Sequence, residues 1–203
     1  MNIIKASYEI VDDLNPAEIY AKLERSGRVC YKSEDKICEG SGEKFIENII
    51  KRGHESVIEH VSFSVKFIID RGVSHELVRH RLASFSQEST RYVNYKDGNM
   101  TFIEPLFLEG NQEAKTIWLK AMEDAENHYN QLITLGWRAE EARSVLPNSV
   151  KTEVFVTANL REWRHILRLR GHRSAHPQIR EVMLPLATEL AEKLPAIFKN
   201  IIE

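Results

Sequence analysis

An α+β (α/β) fold, with a small central sheet and long amphipathic helices, is predicted by three observations. Val61-Ser62-Phe63-Ser64-Val65-Lys66-Phe67 alternates apolar and polar residues, which is the period of a strand. From about Asn111 to Leu135, apolar residues recur three and four apart, which is the period of a helix. Around these two stretches the chain carries repeated helix-start and helix-stop signals with only short β-rich runs between them, so the sheet is small and the helices are many. The 203 residues carry no internal repeat, linker or low-complexity tract, and a single domain over 1–203 is expected.

The chain opens on a short apolar stretch. Asn15-Pro16-Ala17-Glu18 follows, where Asn caps, Pro suits the first helical position and Glu favours the helix N-terminus. This predicts a helix to about Gly27. A second helix is expected from Ser41 to Gly53, with Phe45, Ile46, Ile49 and Ile50 on one face and Gly53 free to leave it with positive φ. The strand at 61–67 comes next. From Gly72 the period changes, and a helix would set Glu76, Arg79 and His80 at i, i+3 and i+4 before an arginine-rich loop.

Beyond Tyr92 the sequence predicts a turn at Asp97-Gly98-Asn99, a strand at Thr101-Phe102-Ile103 and the long helix closed by Gly136. Its stripe comprises Ala114, Ile117, Trp118, Ala121, Met122, Ala125, Tyr129 and Leu132, a core or partner surface. Arg138 to Leu146 reads as a shorter helix stopped by Pro147, and Lys151 to Ala158 as a strand. Asn159-Leu160-Arg161-Glu162 starts a helix that buries Leu160, Trp163 and Leu167 and turns Arg161, Arg164, His165, Arg168 and Arg170 the other way. The last helix, from Pro177, has Ile179, Val182, Met183, Leu186 and Leu190 as its apolar face and a kink expected at Pro185.

A net charge of −2 with 42% hydrophobic residues excludes a disordered chain and gives no global basic field for nucleic acid. No apolar run reaches membrane-spanning length and the first residues lack a signal-peptide core, so a cytoplasmic location is expected. Cys30 and Cys38 are too few for a disulfide scaffold or a zinc ribbon and read as reduced thiols. His54-Glu55 lacks the second histidine a zincin needs, because position 58 is Ile, so no metal is expected.

The chemistry concentrates in Arg79-His80-Arg81-Leu82-Ala83-Ser84-Phe85-Ser86-Gln87-Glu88-Ser89-Thr90-Arg91-Tyr92. Three arginines and several hydroxyls are held there against interleaved apolar residues, a pattern suited to an oxyanion such as phosphate. Ser89 is a poor nucleophile in this setting, since its neighbouring arginines can take no proton.

Arg-His-Arg, seven residues and then Ser89, extended by Thr90-Arg91-Tyr92, resembles the signature of the flavin-dependent thymidylate synthases. Three further blocks extend the likeness in order and spacing over roughly residues 45 to 180. They are Gly53-His54-Glu55-Ser56 with Glu59-His60, Arg143 before Leu146-Pro147, and Asn159-Leu160-Arg161 leading to His165 and Arg170.

The resemblance implies reductive methylation of dUMP to dTMP, with methylenetetrahydrofolate as one-carbon donor, FAD as hydride carrier and NADPH as its reductant. It implies a homotetramer with active sites shared between subunits, and neither nucleic acid nor membrane as partner. Arg170 would be catalytic, stabilising charge on the uracil. Ser56, Arg79, His80, Arg81, Gln87, Asn159, Leu160, Arg161 and His165 would bind FAD, with His54 beside the flavin. Glu76, Leu77, Val78, Arg79, Gln87, Glu88, Ser89, Thr90, Arg91, Arg143 and Arg170 would bind the nucleotide. Three positions depart from the usual pattern: Ser86 stands where many members have Asn, Gln87 where many have Glu, and Glu76 where Gln is common. There is no Gly-x-Gly-x-x-Gly handle for a dinucleotide.

Two other classes fit parts of the pattern. A single-strand-binding module would use the arginines with Tyr92 and Trp163 as stacking surfaces, and a metal hydrolase would draw on the eight histidines.

Overall fold

The computed structural model describes residues 1–93, 95, 100–199 and 201–202. The turn expected at Asp97-Gly98-Asn99 lies outside the described residues. Six strands are present among the described residues: β1 (Asn2–Ile4), β2 (Ser7–Ile10), β3 (Ser62–Asp70), β4 (Ser84–Gln87), β5 (Thr101–Ile103) and β6 (Lys151–Asn159). The α-helices are α1 (Pro16–Val29), α2 (Ser41–Lys51), α3 (Arg71–Leu77), α4 (Gln112–Thr134), α5 (Ala139–Ala142), α6 (Leu160–Gly171), α7 (Pro177–Lys193) and α8 (Pro195–Phe198). Mixed helix with small sheets is the predicted class. No described helix is long and apolar enough to cross a membrane.

A four-stranded sheet has the order β2-β3-β6-β4, and β1 pairs with β5 in parallel, Asn2 opposite Thr101. Strands β3 and β6 run antiparallel: Leu160 N donates to Val61 O at one end (3.0 Å) and Arg71 N to Val150 O at the other (3.1 Å). The alternation read at 61–67 is realised, with Phe63, Val65 and Phe67 at most 1% exposed.

The chain divides into two compact units, one of Met1–Tyr8, Lys66–Arg79 and Phe85–Phe155, the other of Glu9–Val65, His80–Ser84 and Val156–Glu203. In the first, Met100, Phe102, Met122, Tyr129, Ala142 and Val150 form the core, with Trp118 and Leu132 packed against it. Helix α4 is capped by Asn111, whose side chain accepts from Ala114 N (3.0 Å), and it ends before Gly136 at φ 92°. In the second unit Trp163 stacks on Phe63 at 5.0 Å and donates its indole N–H to the Phe63 carbonyl (3.0 Å), while Phe198 meets Phe63 edge-on. Helix α1 starts where Asn15 accepts from Ala17 N (3.1 Å), and α6 where Asn159 accepts from Glu162 N (2.8 Å).

Several expectations are corrected. The arginine-rich segment is not all loop, since Ser84–Gln87 forms strand β4. Strands β1 and β2 occupy the short apolar stretch that opens the chain, and they are too short to show a period. Helix α3 stops at Leu77, so Arg79 and His80 lie past its end and do not share a helical face with Glu76. The expected 138–146 helix is α5 followed by a 3₁₀ turn, Arg143–Val145. Ile117 is 66% exposed, so the apolar stripe of α4 is wider than the surface it buries. Arg164, expected on the outward side of α6, is buried: it donates to the Ile197 carbonyl and pairs with Glu55 at 3.1 Å.

Candidate active site

In the first unit, α3 begins at Asp70, whose carboxylate accepts from Val73 N (2.8 Å). Glu76, buried Leu77, Val78 and exposed Arg79 follow along α3 and just beyond it. Strand β4 is pinned by Gln87, whose amide nitrogen donates to Ser74 Oγ (2.9 Å) and Thr152 Oγ1 (3.2 Å). The Gln87 amide therefore braces β4 between α3 and β6.

Glu88 is also a strut. One carboxylate oxygen accepts from Tyr95 Oη at 2.9 Å and the other lies 2.9 Å from Lys151 Nζ. Burial, and then the adjoining Glu88 carboxylate, holds the Tyr95 phenol well above its ordinary pKa. Lys151 continues to Glu153 (2.8 Å), which meets Lys66 at 2.5 Å. These residues, with Ser86, Gln87 and Phe155, line a cavity of about 450 Å³. Its charges are paired with one another, which makes it a poor anion site.

The turn after β4 is different. Ser89 Oγ accepts from Arg91 N (3.2 Å) and the Ser89 carbonyl from Val93 N (3.0 Å), which turns the chain sharply. Buried Thr90 accepts at its hydroxyl from Arg143 Nη1 (3.3 Å). The structure thus joins two sequence-predicted groups 53 residues apart. Arg143 has no carboxylate partner among the described residues, whereas Arg91 lies 3.6 Å from Glu140 and over the Tyr92 ring. Arg79 makes no hydrogen bond or ion pair to that turn among the described residues. Arg71, not singled out by sequence, lies with its guanidinium 3.5 Å from the Glu88 carbonyl.

In the second unit, helix α6 and its cap carry Asn159, Leu160, Arg161, His165 and Arg170, while His54, Ser56, His80 and Arg81 lie outside it. Arg170 Nε donates to His80 Nε2 at 3.0 Å. His80 is only 4% exposed, its other ring nitrogen is 3.5 Å from Glu162 Oε1, and His165 meets it edge-on at 5.4 Å. Burial first, then the Arg170 guanidinium and His165, pulls the His80 pKa down to about 4. His80 is therefore neutral at ordinary pH, and its approach to Glu162 is not an ion pair. As pH falls from the usual histidine range towards 4, the unfolded chain takes up a proton that the folded one refuses. His80 therefore withdraws stability in that window.

His80, Glu162 and His165 offer three donor atoms within 4.8 Å of one another. A guanidinium 3.0 Å from one of those nitrogens occupies its lone pair and repels a second cation, so the cluster is a poor metal centre.

Exposed Arg161 meets Glu59 at 2.5 Å, and Glu55 gathers Arg164 at 3.1 Å with Arg161 and Arg168 at 3.9 Å. Ser56 and His165 are exposed, Leu160 is fully buried, and the Asn159 side-chain oxygen is engaged as the α6 cap. Arg81 is exposed and has no ion pair among the described residues. His54 shares a 2.9 Å hydrogen bond with Tyr31 Oη. Sequence reasoning missed two residues here, Glu55 and Glu162. Glu55 was legible only as part of a motif, and Glu162 only as a helix-start acid, although it also stands three residues before His165 on one helical face.

The Thymidylate synthase complementing protein family model matches residues 12–196. A flavin-dependent thymidylate synthase from Pyrococcus furiosus is 38% identical over 80% of this chain and 68% of its own length. One from Geobacter sulfurreducens is 33% identical over 89% and 81%. A crystal structure of the UMP/dUMP methylase PolB from Streptomyces cacaoi, bound with 5-Br dUMP, matches at a TM-score of 0.83 and 27% identity, covering 98% of this chain and 96% of that one. Four motif blocks in order, the matching fold and relatives aligned over most of their length lead to one assignment: this chain belongs to the flavin-dependent thymidylate synthase family.

Proposed function

We propose that this protein methylates dUMP reductively to dTMP, taking the carbon from methylenetetrahydrofolate, and that it works as a homotetramer in the cytoplasm. The observation that carries the reading is the Arg143–Thr90 contact in the Ser89-Thr90-Arg91 turn, a guanidinium held by a neutral hydroxyl with no carboxylate among the described residues to neutralise it. Such a cation suits the dianionic phosphate of a nucleotide. Arg91, the Ser89 hydroxyl and Arg79 are assigned to the same phosphate, and Glu76, Leu77, Val78, Gln87 and Glu88 to the rest of the nucleotide.

The exposed residues of the second unit fit a flavin dinucleotide by chemistry. Arg81 and Arg161 supply cations for a pyrophosphate, and Ser56 and His165 supply polar contacts. Leu160 and His80, being buried, contribute shape and support rather than side-chain contacts. When bound, FAD supplies the reducing hydride and NADPH restores it. Methylation replaces the hydrogen on carbon 5 of the uracil, and that carbon becomes nucleophilic when charge on N3 and the carbonyl oxygens is stabilised. Arg170 is assigned this role, its planar fork matching two adjacent acceptors. No cysteine nucleophile is required, and Cys30 and Cys38 are exposed and free.

Leu82 and Tyr92 of the arginine-rich run are each 79% exposed, and each is an apolar side chain that a second copy would cover. A yellow purified protein whose flavin absorbance changes on titration with dUMP supports the proposal. A colourless protein that binds oligonucleotides with steep salt dependence overturns it in favour of a single-strand-binding module.

Arg91→Ala and Arg143→Ala each remove a charge-assisted phosphate contact, so dUMP binding weakens by about 1.5–3 kcal/mol while flavin stays bound. Calorimetric titration of both variants checks this, and unchanged nucleotide affinity in both removes the phosphate assignment. Ser89→Ala loses one neutral contact, about 0.5–1.5 kcal/mol in nucleotide affinity, and still forms dTMP. Complete loss of turnover with affinity and fold intact would return Ser89 as a nucleophile.

A further inference from the structure

We infer that His80 is a positioning residue, which orients the Arg170 guanidinium from beneath through a buried Glu162–His80–Arg170 chain. The inference rests on the role given to Arg170 above. It departs from the sequence pattern, which places His80 on the flavin.

Three observations carry it. The Arg170 Nε–H can only donate, so at 3.0 Å the His80 Nε2 must present a lone pair. The ring proton therefore sits on Nδ1, the nitrogen 3.5 Å from Glu162 Oε1. The imidazole is 4% exposed and the Glu162 side chain 7%, so neither has a solvent-facing edge to offer a ligand, whereas Arg170 is only half-buried.

Held at Nε, the planar guanidinium has its orientation set by the imidazole. Asn159 and the α6 N-terminus fix the depth of Glu162, because Asn159 accepts from Glu162 N at 2.8 Å. A cap at one end of α6 thus sets the acid under His80, and His80 sets the arginine at the other end of the same helix. A neutral imidazole suits this work: a charged one would offer no lone pair and would stand against Arg170 as a like charge.

The first test needs no substrate. Nitrogen-15 NMR of the full-length protein should find His80 protonated on Nδ1 and not titrating between about pH 5.5 and 8, with Glu162, His165 and Arg170 as the charged or titratable groups facing it. A proton on Nε2, or titration near the ordinary histidine value, overturns the inference.

The second test uses His80→Phe, which fills the space without a lone pair, and His80→Gln, which restores an acceptor. Methyl transfer at saturating dUMP should fall about tenfold in His80→Phe and recover in part in His80→Gln, with flavin content and dUMP affinity retained in both. Loss of flavin in step with activity makes His80 a cofactor contact and overturns the inference, as does full activity in His80→Phe. If His80→Phe does not fold, His80→Gln and the NMR result decide. A wild-type protein that forms no dTMP refutes the functional reading instead, and the NMR measurement still decides the His80–Arg170 contact.

Discussion

Arg170→Lys lowers the rate of dUMP methylation by about 10²-fold or more, an effect comparable to removing one oxyanion-hole donor. The charge is kept, so simple electrostatic attraction to the nucleotide survives. What is lost is geometry. A lysine ammonium has no planar fork to span N3 and a neighbouring carbonyl, and no Nε–H at the position that meets His80 at 3.0 Å. An interaction that strengthens as negative charge grows on the uracil must appear in turnover more than in substrate affinity. NADPH-driven flavin reduction should fall far less, because it does not need the uracil polarised. Measuring the two half-reactions separately checks this. Equal losses in both, or a rise in the dUMP dissociation constant that accounts for the whole defect, would make Arg170 an ordinary binding residue.

Trp163→Ala destabilises the fold by about 3–5 kcal/mol, the range for removing a large aromatic from a core. Trp163 is fully buried, stacks on Phe63 and satisfies the Phe63 carbonyl in strand β3. Truncation leaves a cavity beneath α6 and removes the indole hydrogen bond to that carbonyl, so a packing loss and a hydrogen-bond loss both contribute. For a chain of this length the midpoint should drop by on the order of 10 °C. Trp163→Phe keeps the ring stack and loses mainly the indole donor, so its cost should be about 1 kcal/mol. Thermal and denaturant unfolding of the two variants test this, and an alanine variant within about 1 kcal/mol of the parent would contradict it.

What was legible in the sequence follows from how far each signal reaches along the chain. The nine-residue strand β3, the 23-residue helix α4 and the caps at Asn15 and Asn159 all carry local patterns, and the structure realises them. Strands β1, β2 and β4 span three or four residues each and are defined by their partners, which no local period encodes. The site divides in the same way. Arg143 and Thr90, predicted from separate blocks, do meet. Whether an individual arginine faces solvent or core was not legible. Arg164 looks like its neighbours in sequence yet is drawn inward by Glu55 and the Ile197 carbonyl. Gln87 and Glu88 sit in the motif, but their side chains are engaged by Ser74, Thr152, Tyr95 and Lys151, contacts that exist only once β4 lies beside β6. The buried Glu162–His80–Arg170 arrangement joins residues 90 apart, and charge pattern alone would have left all three on the surface.

The most direct measurement is dTMP formation by the purified protein supplied with dUMP, methylenetetrahydrofolate, FAD and NADPH, with each component withheld in turn. dTMP is expected with the complete mixture, and none when the folate is left out or when the protein is stripped of its flavin and none is added back. A protein that binds and reduces flavin yet forms no dTMP from dUMP would contradict it.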